Sequence, residues 1–350
     1  MKRLMGGEVT DQRQVAPSWE QFSDRDRLVH LVRTLQFSRD LIERIFCLAE
    51  VARTMNASRQ GSAHLREALV GKRALLYFTQ PSSRTFLSFQ AAASILGMVT
   101  PEVRDRQTSS EMKGESPLDT VRTYATFHDL IIMRNPDAGF AEQCANHFVE
   151  YDIACQVVNA GSGQDDHPTQ ALLDVYTLYR EFRERGGIAG KRILFVGDLA
   201  RGRTARAFIQ LLTLYEDVRI DLVSPKELSL RDDIRTLSEN RFAEVREGQN
   251  IDLFLPEADA VYMTRVQSEW DDAGDAPNID TSTYKLSQSR CAKLKSDAVV
   301  MHPLPRRDEI PISVDRDPRS RYWDQVENGM WARVGLIVHM LGREEQLRTA

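Results

Sequence analysis

Residues 74–96 read Ala-Leu-Leu-Tyr-Phe-Thr-Gln-Pro-Ser-Ser-Arg-Thr-Phe-Leu-Ser-Phe-Gln-Ala-Ala-Ala-Ser-Ile-Leu. The first five form an apolar run of strand length, and the segment from Phe86 onward has helical character. Between them Ser82, Ser83, Arg84 and Thr85 bring three hydroxyls and a guanidinium to a helix start. Two readings are open there. Serine and threonine are ordinary helix caps. The unpaired N–H groups, the positive end of the helix dipole and the planar fork of Arg84 also suit an anion.

The same strand-then-helix rhythm continues along the chain. Arg73–Phe78, Leu130–Met133, Cys155–Asn159, Arg192–Val196, Arg219–Val223, Ala260–Met263 and Ala298–Met301 read as strands, most of them separated by helical patterns. Alternation of this kind predicts an α/β protein built of parallel sheets flanked by helices. Arg39 to Arg53 has helical spacing with Ser38 as its cap. The first thirty or so residues are polar and read as an extension that is loose rather than packed. The acidic stretch Trp270 to Asp280, with Gly274 and Pro277, reads as a loop.

With 350 residues and 42% hydrophobic content, the chain has material for roughly two domains. Its 46 basic and 51 acidic residues leave a formal charge of −5, so no overall basic field recruits nucleic acid. Cys47, Cys144, Cys155 and Cys291 lie far apart. That argues against a zinc knuckle or a disulfide framework and suits buried thiols in a reducing cytoplasm. The N-terminus reaches charge before any apolar run, and no stretch is long enough to span a bilayer, so neither export nor membrane insertion is expected.

In open parallel sheets ligands bind beyond the carboxyl ends of strands. Here those ends carry Ser82–Thr85, Arg134, a Gly-containing loop leading to His167-Pro-Thr-Gln170, Gly197-Asp-Leu-Ala-Arg-Gly-Arg203, Arg265-Val-Gln267 and His302-Pro-Leu-Pro-Arg306. Four strand ends bearing arginine (Arg84, Arg134, Arg203 and Arg265) imply substrates with several negative charges, such as a phosphate plus carboxylates.

Ser82-Ser-Arg-Thr85, His167-Pro-Thr-Gln-Ala-Leu-Leu-Asp174, Met263-Thr-Arg-Val-Gln267 and His302-Pro-Leu-Pro-Arg-Arg-Asp-Glu-Ile310 resemble, in order, motifs of the carbamoyltransferase family. The Pro-Thr-Gln and His-Pro-Leu-Pro-Arg forms resemble its aspartate branch. That resemblance implies transfer of the carbamoyl group of carbamoyl phosphate to L-aspartate, in pyrimidine synthesis, without metal or cofactor. It implies two domains joined by helices that cross between them: after the polar extension over 1–30, a carbamoyl-phosphate-binding domain over 31–167 plus 322–350 and an aspartate-binding domain over 168–321.

By the same resemblance Ser82, the Ser83 backbone, Arg84 and Thr85 would cradle the phosphate, while Thr85, Arg134 and His167 would donate to the carbamoyl oxygen. Gln170 would meet the carbamoyl NH2. Arg203 would take the α-carboxylate, Arg265 with Gln267 the β-carboxylate, and the Leu304 carbonyl the amine, with Leu304-Pro305 a candidate cis peptide; a simple rigid turn is the structural alternative for Pro-Leu-Pro. Ser109 and Lys113 would enter the site of a neighbouring copy, making a homotrimer the smallest active unit. Regulatory chains or a dihydroorotase stay open as partners. The motif departs from the usual Ser-Thr-Arg-Thr at Ser83, and Ala200 stands where lysine is common. An ornithine-using relative and a noncatalytic scaffold are the competing readings. A dinucleotide-binding protein ranks below them, because residues 197–203 lack the Gly-x-Gly-x-x-Gly spacing.

Overall fold

The computed structural model describes residues 19–105, 114–163, 166–265 and 281–347. A short antiparallel hairpin, β1 (Ser23–Asp24) with β2 (Arg27–Leu28), precedes helices α1 (Arg39–Asn56) and α2 (Arg59–Glu67). The first sheet follows as β3 (Ala74–Phe78), α3 (Ser83–Ile95), β4 (Glu102–Val103), α4 (Pro117–Ala125), β5 (Leu130–Arg134), α5 (Phe140–Glu150) and β6 (Gln156–Asn159). Helix α6 (Pro168–Phe182) leads to the second: β7 (Arg192–Val196), α7 (Arg203–Leu212), β8 (Arg219–Val223), α8 (Asp232–Arg241), β9 (Glu244–Gly248), β10 (Ala260–Met263), α9 (Gln288–Cys291) and β11 (Val299–Met301). Helix α10 (Tyr322–Met340) then packs on α1, α6 and α3.

Both sheets are parallel throughout, in the orders β4-β3-β5-β6 and β11-β10-β7-β8-β9. The chain reverses its direction of travel once in each, between β3 and β5 and between β7 and β10. Such a reversal leaves a crevice at the carboxyl ends of the two strands. Register fixes what stands there: Phe78 pairs with Arg134, and Val196 with Met263.

Side chains alternate across the first sheet, as strand geometry requires. Ala74, Leu76 and Phe78 enter a large core shared with α1, α6 and α10, while Leu75 and Tyr77 pack under α4 and α5. That large core continues into Ile193 and Phe195 of β7, so apolar packing runs beneath both crevices. A Cβ on Gly335 would lie 2.4 Å from the Ile45 carbonyl oxygen, which is why α10 can approach α1 so closely only with glycine there.

The α/β architecture agrees with the strand-and-helix alternation, and Ser38 caps α1 by accepting from the Leu41 N–H at 3.2 Å. Strands β4 and β9 escape the sequence reading. Strand β4 has two residues, and β9, Glu-Val-Arg-Glu-Gly, is an edge strand with no apolar run. The expectation of a loose lead-in over 1–30 fails where the structure describes it: Phe22, Leu28 and His30 are buried, and the Val29 and His30 N–H groups donate to the Phe22 carbonyl. Cys47 is exposed rather than buried, unlike the other three cysteines. The stretch 270–280 lies outside the described residues. Among the described residues, no helix is long and apolar enough to cross a membrane.

Candidate active site

The two crevices open into one cleft of about 940 Å³. One wall holds Ser82, Ser83, Arg84, Thr85 and Arg134; the other holds Arg203, Thr264, Arg265 and the loop 302–305; His167 and Gln170 line the floor. Segments far apart in sequence thus meet because each follows the carboxyl end of a strand near a reversal point.

Ser82 occupies the N-cap position of α3, yet its side chain makes no capping hydrogen bond. His167 occupies that position on α6, also without one. The cap reading therefore explains neither residue. Buried beneath the cleft, Arg134 Nε and His167 Nδ1 have no hydrogen-bond partner, a cost normally avoided.

Eight arginines line the cleft, and no aspartate or glutamate is among its described lining residues. Burial, then the neighbouring guanidiniums of Arg203 and Arg84, lowers Arg134 to about 9. Burial lowers Arg203 to about 10. Arg84 is lowered by burial and by Arg265. A cleft in which cations repel one another across buried space is complementary to a multiply charged anion. His167 is pushed well below its ordinary value by burial and by Arg203, Arg134 and Arg333. Its imidazole is therefore held in the neutral form, with one ring N–H and one ring acceptor. Gly161, at φ +94°, makes room for that ring, since a Cβ there would come within 2.5 Å of it.

Loop 302–305 is held from below. The Leu304 N–H donates to His302 Nδ1 at 2.7 Å, which leaves Nε2–H to donate to Glu309 Oε1 at 2.8 Å. Leu304 takes φ 52°, and the Leu304-Pro305 bond is cis. Arg84 Nη2 donates to the Leu304 carbonyl oxygen at 2.9 Å, and Arg203 Nη1 donates to the Gly163 carbonyl.

The signature described as "Aspartate/ornithine carbamoyltransferase, carbamoyl-P binding domain" matches residues 29–180, and "Aspartate/ornithine carbamoyltransferase, Asp/Orn binding domain" matches 189–340. The chain belongs to the aspartate/ornithine carbamoyltransferase family. Within it, the chain is 38% identical over 322 residues to a chloroplastic aspartate carbamoyltransferase of Oryza sativa subsp. japonica, covering 90% of this chain and 85% of that one. The catalytic subunit of M. jannaschii aspartate transcarbamoylase superposes with TM-score 0.78 at 33% identity, covering 91% of this chain and 99% of that one. Aspartate transcarbamoylase of Trypanosoma cruzi, solved with carbamoyl phosphate and aspartate, superposes with TM-score 0.79 at 29% identity, covering 92% and 98%.

Within this carbamoyltransferase fold, the cleft gathers Ser82, Ser83, Arg84, Thr85, Arg134, His167, Gln170, Arg203, Arg265, Leu304 and Pro305. Ser109, Lys113 and Gln267 lie outside the described residues. The sequence reading missed Arg104, Arg201, Arg231 and Arg333 among the lining arginines. Arg333 carried a signal, a lone charge in the apolar run from Ala332 to Met340. Arg231 carried none, since it follows its strand by eight residues. Among the described residues, no group of three or more His, Cys, Asp or Glu side chains is placed to hold a metal ion.

Proposed function

We propose that this cleft is where the chain transfers the carbamoyl group of carbamoyl phosphate to the amine of L-aspartate, giving N-carbamoyl-L-aspartate and phosphate. One observation carries the reading. The helix N-terminus at Ser82–Thr85 faces a pair of arginines, Arg203 and Arg265, across a cleft whose described lining holds no carboxylate. Ornithine would need an acidic or neutral partner for its side-chain amine where Arg265 stands.

In this account Ser82, the Ser83 N–H, Arg84 and Thr85 hold the phosphate at the start of α3. Thr85, Arg134 and the neutral His167 donate to the carbamoyl oxygen, and Gln170 accepts from the carbamoyl NH2. Arg203 binds the α-carboxylate, Arg265 and Gln267 the β-carboxylate, and the Leu304 carbonyl accepts from the amine. The amine attacks the carbonyl carbon, charge builds on the carbamoyl oxygen, and the three donors stabilise it more in the transition state than in the ground state. The carbon–oxygen bond to phosphate then breaks, and the departing phosphate takes the amine proton.

A homotrimer in which Ser109 and Lys113 complete a neighbouring copy's site follows from the family likeness of that segment. Four unpaired thiols support a reducing, cytoplasmic setting. A bisubstrate analogue joining a phosphonate to the aspartate nitrogen tests the cleft assignment. It should bind far more tightly than phosphate or aspartate alone and compete with carbamoyl phosphate; binding no tighter than aspartate would overturn the assignment.

A further inference from the structure

Gln170 and Asp174 stand one turn apart on α6, on the same face. Gln170 Nε2 donates to Asp174 Oδ1 at 2.9 Å. Asp174 is fully buried and belongs to no substrate contact in the account above. Its other partners come from two further elements. Gln325 Nε2 of α10 donates to the same Oδ1 at 2.6 Å, and the Tyr262 hydroxyl of β10 donates to Oδ2 at 2.7 Å. Gln325 is itself fixed, because its Oε1 accepts from the His302 N–H at 2.9 Å.

We infer that Asp174 is a positioning residue that selects which end of the Gln170 amide faces the cleft. The inference rests on the reading that Gln170 meets the carbamoyl NH2. A glutamine amide has a donor end and an acceptor end of almost the same shape, and only its surroundings decide which points where. Burial pushes the Asp174 carboxyl up to about 7, but a proton held there sits on Oδ2 facing the Tyr262 oxygen, so Oδ1, which also accepts from Gln325, stays an acceptor; the Gln170 NH2 turns to it and leaves Oε1 for the substrate. The opposite turn would set an NH2 against the carbamoyl NH2. The shared oxygen Oδ1 does this work, and the charge does not. An asparagine at 174 can keep its carbonyl oxygen at the Oδ1 position and give its NH2 to the Tyr262 oxygen.

Steady-state kinetics of the full chain test this with Asp174→Leu, Asp174→Asn, Gln170→Ala and the Asp174→Leu/Gln170→Ala double variant, each checked for folding. Removing the acceptor in Asp174→Leu should lower kcat/KM for carbamoyl phosphate about 10- to 100-fold, with KM for aspartate little changed. Asp174→Asn should stay within about threefold of the parent. The double variant should be no worse than Gln170→Ala by more than about twofold, because a positioner has nothing left to position. Asp174→Asn is isosteric, so it decides the matter even where Asp174→Leu does not fold: a large loss there overturns the inference. So does a double variant whose loss is the product of the two single losses. If Gln170→Ala itself is as active as the parent, the underlying reading of Gln170 fails instead.

Discussion

Arg84 Nη2 lies 2.9 Å from the Leu304 carbonyl oxygen, so the start of α3 in the first sheet is tied to the loop after β11 in the second. The contact uses one of five guanidinium donors, leaving the others for a phosphate. Lysine, a compact point charge, lacks the planar fork that spans both contacts. Arg84→Lys should therefore lower kcat/KM for carbamoyl phosphate about 100-fold or more. Its thermal midpoint should hardly move, because lysine keeps the charge on a side chain that reaches the open cleft and is only partly desolvated. Parallel kinetics and calorimetry check both halves.

His167 is read as a neutral donor, and that separates it from a general base. Asparagine at 167 retains an N–H donor, whereas alanine does not. His167→Asn should thus keep more activity than His167→Ala, which should lose about 100- to 1000-fold. The pH profile of kcat/KM in the parent should show no acidic limb near 6.5, the ordinary histidine value, since burial and the nearby arginines hold this ring far lower. Gly161→Ala, whose Cβ would strike the ring, should resemble His167→Ala.

Lys113→Ala should fold and assemble but lose most activity. If the site is shared, mixing it with an inactive Arg84→Ala chain under conditions that let subunits exchange should restore part of the activity, because some hybrid sites then carry neither substitution. Near-normal turnover of Lys113→Ala alone would contradict the shared site.

Acid should destabilise the fold through His30. It sits between Phe22 and Phe148 and accepts from the Val157 N–H at 3.1 Å. Burial lowers it from 6.5 to about 4. The unfolded chain then binds a proton that the folded chain refuses, so the stability from this residue is complete above 6.5 and is lost as pH falls towards 4. The loss amounts to about 3 kcal/mol. Denaturant titrations at pH 7 and 4.5 should show a correspondingly smaller difference in His30→Asn.

The parts of the site legible in the sequence are those that follow strands directly. Arg84, Arg134, Arg203 and Arg265 each stand after an apolar run, and a parallel sheet delivers such positions to one end. Asp174, Gln325 and Arg333 were illegible as partners, because Asp174 and Gln325 are 151 residues apart and only the return of α10 brings them together. Phe22 and Leu28 were misread because isolated apolar residues in a polar stretch show no periodicity. Strand β9 was missed because Glu244, Arg246 and Glu247 serve ion pairs at a sheet edge.

One arginine-lined cleft carbamoylates aspartate. Formation of ureido product from carbamoyl phosphate, with L-aspartate and L-ornithine supplied in parallel, tests it most directly. The account predicts product with aspartate and none with ornithine; product with ornithine alone, or with neither amine, would contradict it.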